Sequence, residues 1–321
     1  MTLRGTYAVF RKELADHFGS YRFAILFALI TMVSLIMVYM AGTGIREAFQ
    51  GTVKPRFVFL MLFTSTGALF SLVQFVGFFG PLIGLVLGFD AINRERATGT
   101  LSKLVSQPIY RDSIINGKFL AGVATIFIML CSIALLISAL GIVVLGVVPG
   151  VEEVLRVIFY LLVSVFYISF WLGLAILFSL LFRSTATSAL AVLALWIFFS
   201  FFVSLGATVL ANAISPVEKE RAALEDVMDN LRIQRAVSLA SPMTLYSDSV
   251  AVIVDPLRKT VKPLLLVGPM EKLSSERFRN PLPLIQSLLV VFPYITVLVA
   301  ITLICFGASY AVFMLQEVRS L

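Results

Sequence analysis

Six stretches of the chain stay apolar long enough to cross a bilayer: residues 23–41, 57–89, 119–148, 157–182, 186–211 and 284–315. At about 1.5 Å per helical residue, about 20 apolar residues span a hydrocarbon core of about 30 Å. The first run just meets that length and is too long for a signal-peptide core. The second leaves room for a tilted or re-entrant entry ahead of its crossing helix, and Pro293 predicts a kink in the sixth. Ahead of the first run, Leu3, Tyr7, Phe10, Leu14 and Phe18 recur at helical spacing, with Arg4, Arg11, Lys12 and Asp16 mostly off that stripe. A helix with one aromatic face and basic surroundings lies in the membrane interface plane; the plain alternative is a cytosolic helix packed on the rest of the chain. The pattern predicts an all-α membrane protein. An interfacial helix occupies 1–22, five spans lie within 23–213, and 284–321 holds the sixth span and a short tail.

Two polar segments break the apolar pattern. Residues 90–118 form a short charged island between the second and third spans. Asp90 to Ala97 can extend the second helix beyond the membrane, and Gly99 permits a break after it. Thr98 or Thr100 can cap a new start, and Leu101, Leu104 and Val105 then make an apolar knob on a short helix that Pro108 ends. A rigid knob with a charged rim suits the cleft of a soluble partner; the plain alternative is a solvated basic loop. Residues 214–283 carry ten basic and nine acidic residues and seven prolines, with an amphipathic helix expected over 218–240. Too many aliphatic residues for a disordered linker, they read as a subdomain outside the spans.

Within the second span, Gly80, Gly84 and Gly88 repeat every four residues, spacing that lets another helix approach closely. A helix of the same chain or a second copy would fit that face.

Composition agrees with lipid as the solvent. Of 321 residues, 60% are hydrophobic and 13% charged, about half the charge of an average soluble domain. The net charge of +7 does not gather on a soluble domain, so nucleic acid is not the partner. Its distribution sets orientation: residues 4–22, 94–118, 183 and 319 hold eleven Lys and Arg, whereas Arg46, Lys54, Arg56 and Arg156 occupy the other short loops. The richer side faces the cytoplasm, which places both termini and the 90–118 island inside and 214–283 outside.

The chemistry is defined by what the spans omit. None carries an Asp, Glu, Lys or Arg in its middle, and Gln74 is the most polar side chain expected at depth. Ion-coupled transporters need such groups, so ion-driven transport is disfavoured. No phosphate-binding G-x-x-x-x-G-K-[ST] occurs, and no metalloprotease or serine-hydrolase motif, so no catalytic residue is assigned and nucleotide hydrolysis is left to a partner. Cys131 and Cys305 fall in apolar runs and His17 stands alone, a set that points to neither a disulfide nor a metal site.

The run Asp90-x-x-x-x-Glu95-x-x-x-Gly99-Thr-Leu-x-x-Leu-x-Ser-x-Pro108-x-x-Arg111-x-x-x-x-x-Gly117-Lys118 resembles the first cytoplasmic loop of the ABC-2 type permeases. The similarity is nearest to the group that includes the permease of the copper/nitrous-oxide-reductase maturation transporter. The Arg11-Lys12-Glu13-Leu14 opening, the order of six spans and Ser241-Pro242 ahead of the last span are similar as well. The 214–283 segment departs from the pattern by its length.

The resemblance implies a permease subunit of an ABC transporter, an exporter in a prokaryotic cytoplasmic membrane. It implies a homodimer whose two separate ATPase subunits bind the ATP and Mg and dock on coupling helices in the 90–118 loop. In that picture Leu101 and Leu104 form the knob, Glu95, Arg96 and Arg111 its polar contacts, and Gly99, Thr100 and Pro108 its shape. The alternative, equally compatible with charge-free spans, is a mechanical device that moves the outer segment against an extracytoplasmic protein partner.

Overall fold

The computed structural model describes residues 2–49, 56–64, 71–100, 109–216, 224–261 and 281–316. Among these residues every regular element is helical. They are α1 (Thr2–Phe18), α2 (Tyr21–Ala48), α3 (Met61–Thr64), α4 (Leu72–Gly88), α5 (Asn93–Ala97), α6 (Arg111–Leu145), α7 (Val151–Leu181) and α8 (Thr185–Ile197). After α8 a π-helical turn (Phe198–Phe202) leads into α9 (Val203–Ile214), followed by α10 (Leu224–Ser238), α11 (Pro242–Val254) and α12 (Leu284–Leu315). Six helical stretches are long and apolar enough to cross a membrane: α2, α4 with α5, α6, α7, α8 through α9, and α12. The six-span, all-α expectation and the observed helices agree.

The bundle is organised around α7, against which α4, α6, α11 and α12 pack. Tyr167, Ile168, Trp171 and Ala175 of α7 are fully buried. The glycine stripe of α4 explains how closely that helix seats. A Cβ added at Gly84 would lie 2.7 Å from both the Ile168 carbonyl oxygen and the Leu172 nitrogen, and one at Gly88 would lie 2.7 Å from Ala175 Cβ. Backbone therefore meets backbone, a contact only a residue without a side chain permits. On another face of α7, α12 is held by hydroxyls: Ser309 donates to the Gly173 carbonyl at 3.1 Å and Thr302 to that of Phe166 at 3.3 Å.

Local signals account for the helix ends. Ser71 and Gln74 form a reciprocal capping box at the start of α4, so Gln74 occupies a first turn. Gly146 ends α6 at φ +64 and Gly99 follows α5 at φ +68, left-handed conformations that favour glycine.

The segment after the fifth span folds back toward the bundle. Asn230 on α10 donates to Asn212 Oδ1 and to the Ser215 carbonyl, laying α10 against α9. The chain then bends by 108°, and α11 runs among α4, α7 and α12. Ser241 donates to the Phe199 carbonyl, and the buried Tyr246 stacks on Tyr167 with ring centroids 4.4 Å apart. Arg156, fully buried, fastens the far end by donating to the carbonyls of Ile253 and Leu282. Residues 242–254, read from the sequence as part of a segment outside the spans, thus pack among them. Thirteen residues opening on Pro242 are too short to cross a membrane alone; α10 and α11 together are long and apolar enough, as one span broken by the 108° bend.

Candidate functional site

The candidate site lies at the end of the bundle where α1, α5, the start of α6 and Gln316 come together. Beyond Gly88 the chain turns and restarts as α5, and the backbone N–H groups of Ile92 and Asn93 both donate to Ser179 Oγ near the end of α7, at 2.9 and 3.0 Å. Two further knots hold α5.

The first is ionic. Lys118, near the start of α6, has a side chain only 3% exposed, and its ammonium lies 2.9 Å from Glu13 Oε1 and 2.9 Å from Glu95 Oε1. Lys12 adds a second ammonium at 2.9 Å from Glu13, 3.5 Å from Glu95 and 3.3 Å from Asp16. Close helix approach makes this possible, because a Cβ at Gly117 would sit 2.8 Å from Val9 Cβ of α1. The charges shape one another. Burial pushes the Glu13 pKa up, but the Lys118 ammonium, and after it Lys12, leave it below the ordinary glutamate value. Burial pulls Lys12 down, yet Glu13, Glu95 and Asp16 together hold it above the ordinary lysine value. His17 beside them is depressed, chiefly by burial.

The second knot is made by Gln316. Arg96 donates to Gln316 Oε1 at 2.8 Å, while Gln316 Nε2 donates to the Leu180 carbonyl at 3.0 Å. Arg111, at the first turn of α6, donates to the carbonyls of Gln316 and Phe313 and lies over the Phe313 ring. One glutamine therefore joins α5, α7 and the end of α12.

Of the residues singled out in sequence, Glu95, Arg96 and Arg111 are all engaged inside the chain. Thr100 caps the end of α5 by donating to the Glu95 carbonyl at 3.3 Å, next to Gly99. Leu101, Leu104 and Pro108 lie outside the described residues. Gly80, Gly84 and Gly88, on α4, pack against α7, away from these knots. Lys12, Glu13, Lys118 and Gln316 were not assigned roles by sequence reasoning. For the first three a signal is present, since Lys12-Glu13 and Gly117-Lys118 belong to the runs that carry the family resemblance; nothing in the sequence marks Gln316.

Between α1, the end of α4 and α5 lies a cavity of about 510 Å³, with Asp16, Asp90, Glu95, Thr98 and Thr100 in its wall. Arg22 spans one side of it, 2.8 Å from Asp90. Among the described residues no group of His, Cys, Asp or Glu could hold a metal ion. The geometry is that of a short polar arm fastened by charge and hydrogen bonds to four helices.

The family model described as ABC-2 family transporter protein matches residues 7–318. A probable ABC transporter permease protein, NosY, of Pseudomonas aeruginosa is 35% identical over 147 residues. That alignment covers 46% of this chain and 48% of the relative, so the chain spans about half of its length.

Proposed function

The chain belongs to the ABC-2 family of transporter proteins, and on that premise we propose that it is the membrane-spanning permease subunit of an ATP-driven exporter. Two separate ATPase subunits dock on the 90–118 loop, and a second copy of the chain completes the pathway. The membrane is a prokaryotic cytoplasmic membrane, with the knotted end and both termini inside. Leu101 and Leu104 form the knob in the ATPase cleft, Gly99, Thr100 and Pro108 shape it, and Glu95, Arg96 and Arg111 fix its root to the spans.

The observation that carries this reading is the double knot. An arm bonded to α1 and α6 through Lys118, and to α7 and α12 through Gln316, passes a push on the loop to four helices at once. Spans without mid-membrane charge fit energy supplied by such a push rather than by an ion gradient.

The test is Leu104→Asp in vesicles reconstituted with the ATPase subunits. Transport falls at least about tenfold while ATP hydrolysis persists and the spans stay folded; unchanged rates of both overturn the reading. A second reading, force delivered to an extracytoplasmic partner, draws on α10, whose Glu225, Asp226, Asp229 and Arg232 are exposed beside α9. A tightly packed seam between protomers in every nucleotide state would favour it.

A further inference from the structure

α1 packs on the first turns of α6, with Gly5 against Ile109 and Ser113 and Val9 against Gly117, so it sits at the membrane face where that span enters. One flank of α1 carries the ionic knot. The other opens on a groove of about 700 Å³, walled by Tyr7 and Phe10 of α1, by Leu120, Val123 and Phe127 along α6, and by Val165 of α7. The α6 residues recur at helical spacing, so the groove follows that helix inward, and from Leu120 to Phe127 the rise is about 10 Å. Phe127 and Val165 lie near the middle of α6 and α7. The groove therefore runs from the membrane face to the depth of one leaflet, half of a hydrocarbon core of about 30 Å. Leu120 and Phe127 are exposed, so it is open from the lipid side. Tyr7, stacked on Phe10, lies at its α1 end. Arg4 and Arg11 stand three residues before and four residues after Tyr7, neighbours on the same face of the helix. Both are exposed, and among the described residues neither has an ion-pair partner. The carboxylates around α1 are committed elsewhere: Glu13 to Lys118 and Lys12, Asp16 to Lys12, and Asp112 to the Ser113 N–H.

We infer that this groove is a lipid site, seating one acyl chain of an anionic phospholipid whose phosphate is held by Arg4 and Arg11. Depth and direction argue for the chain, because the tail of a leaflet lipid runs from face to midplane as the groove does. Charge argues for the headgroup. Guanidinium groups match phosphate oxygens, and two unpaired cations at a membrane face favour a lipid of net negative charge over a zwitterionic one. A lipid seated there ties α1 to α6 and α7 on the flank opposite Lys118, so α1 is braced from both sides. The inference does not depend on what the chain transports.

The experiment uses the full chain in lipid nanodiscs, with Phe127→Trp as a fluorescent reporter in the groove and its signal corrected for Trp171 and Trp196. Phosphatidylglycerol and phosphatidylcholine, each brominated on the acyl chain, are titrated separately as quenchers. Leu303→Trp, on an exposed part of α12, is the control for bulk lipid. Brominated phosphatidylglycerol quenches the groove reporter with at least about fivefold higher apparent affinity than phosphatidylcholine, and the two quench Leu303→Trp alike. Arg4→Gln/Arg11→Gln abolishes the preference at the groove, each single variant loses part of it, and unfolding midpoints check that all three fold. Equal quenching by the two lipids at the groove means ordinary boundary lipid and overturns the inference. A preference that survives loss of both arginines overturns it as well. If neither lipid quenches the groove reporter, a second copy of the chain covers the groove and the inference falls.

Discussion

Lys118 Nζ and Glu13 Oε1 lie 2.9 Å apart in a buried ion pair, although 105 residues separate them in the chain. The same ammonium holds Glu95, so one cation fastens two carboxylates from two helices. Replacing it by an apolar group leaves both acids with only the half-exposed Lys12 ammonium: Lys118→Met is expected to destabilise the protein, by at most about 3–5 kcal/mol. Neutralising both acids as well, in Glu13→Gln/Glu95→Gln/Lys118→Met, leaves Lys12 to Asp16 and is expected to restore most of that loss. Denaturant unfolding of the two variants in detergent checks the ordering. A triple variant no more stable than Lys118→Met would show that packing, not charge, is what Lys118 supplies.

Acid should loosen this end of the bundle in two stages. His17 is held below its ordinary value of 6.5, first by burial and then by Lys118, while Glu13, Asp90 and Asp16 oppose that shift. The unfolded chain therefore takes up the His17 proton first, so its contribution to stability is full above 6.5 and is lost as pH falls through the lowered folded value. The Glu13 pKa is also lowered, below 4.5, and its contribution disappears only in a more acidic window. Melting temperature followed from about pH 7.5 to about pH 2 should show two descending limbs. His17→Gln should flatten the upper limb and leave the lower one; an unaltered upper limb would count against this assignment.

The spans and the glycine stripe were legible because both are periodic, and periodicity survives in a single sequence. Charge pairing did not survive. The sequence counts Lys118 only among the basic residues on one side of a membrane and assigns Arg96 and Arg111 to contacts with a partner subunit, yet within the chain their partners lie 23 to 220 residues away. Nothing local marks a lysine as buried when it sits at the edge of an apolar run. Seating α11 in the bundle was hidden for another reason. Hydropathy averaged over 214–283 is diluted by nineteen charges, and the short helix that buries Tyr246 and Val250 carries one of them.

The contact between α4 and α7 should tolerate side chains very unevenly. At Gly84 a methyl group meets main-chain atoms of Ile168 and Leu172 at 2.7 Å, and main chain inside a helix cannot swing aside. Gly84→Ala is expected to cost about 1–3 kcal/mol, the usual range for overpacking. At Gly80 the nearest obstacle is the Ile168 side chain at 3.1 Å, which can adjust, so Gly80→Ala should cost less. Gly44 has open space around it, and Gly44→Ala should be neutral or slightly stabilising by helix propensity. Unfolding midpoints of the three variants test the ranking; equal losses at 84 and 44 would refute it.

The Arg96–Gln316 bond should decide how firmly the arm follows the last helix. Gln316→Ala removes the acceptor of Arg96 and the donor to Leu180 but leaves the Gln316 carbonyl that Arg111 bonds. The side-chain links from the end of α12 to α5 and to α7 are both cut, and α12 remains tied to α6 through Arg111. The lost bond is charged but part-exposed, so the stability change should stay near about 1 kcal/mol. The geometric change should be larger than the energetic one. Ala97 and Met314 are both exposed and flank the joint, so spin labels there report the separation of the two helix ends. The wild-type distance distribution should be narrow, and Gln316→Ala or Arg96→Ala should broaden it without moving the unfolding midpoint appreciably. Identical distributions in all three proteins would mean that the Lys118 cluster alone positions the arm.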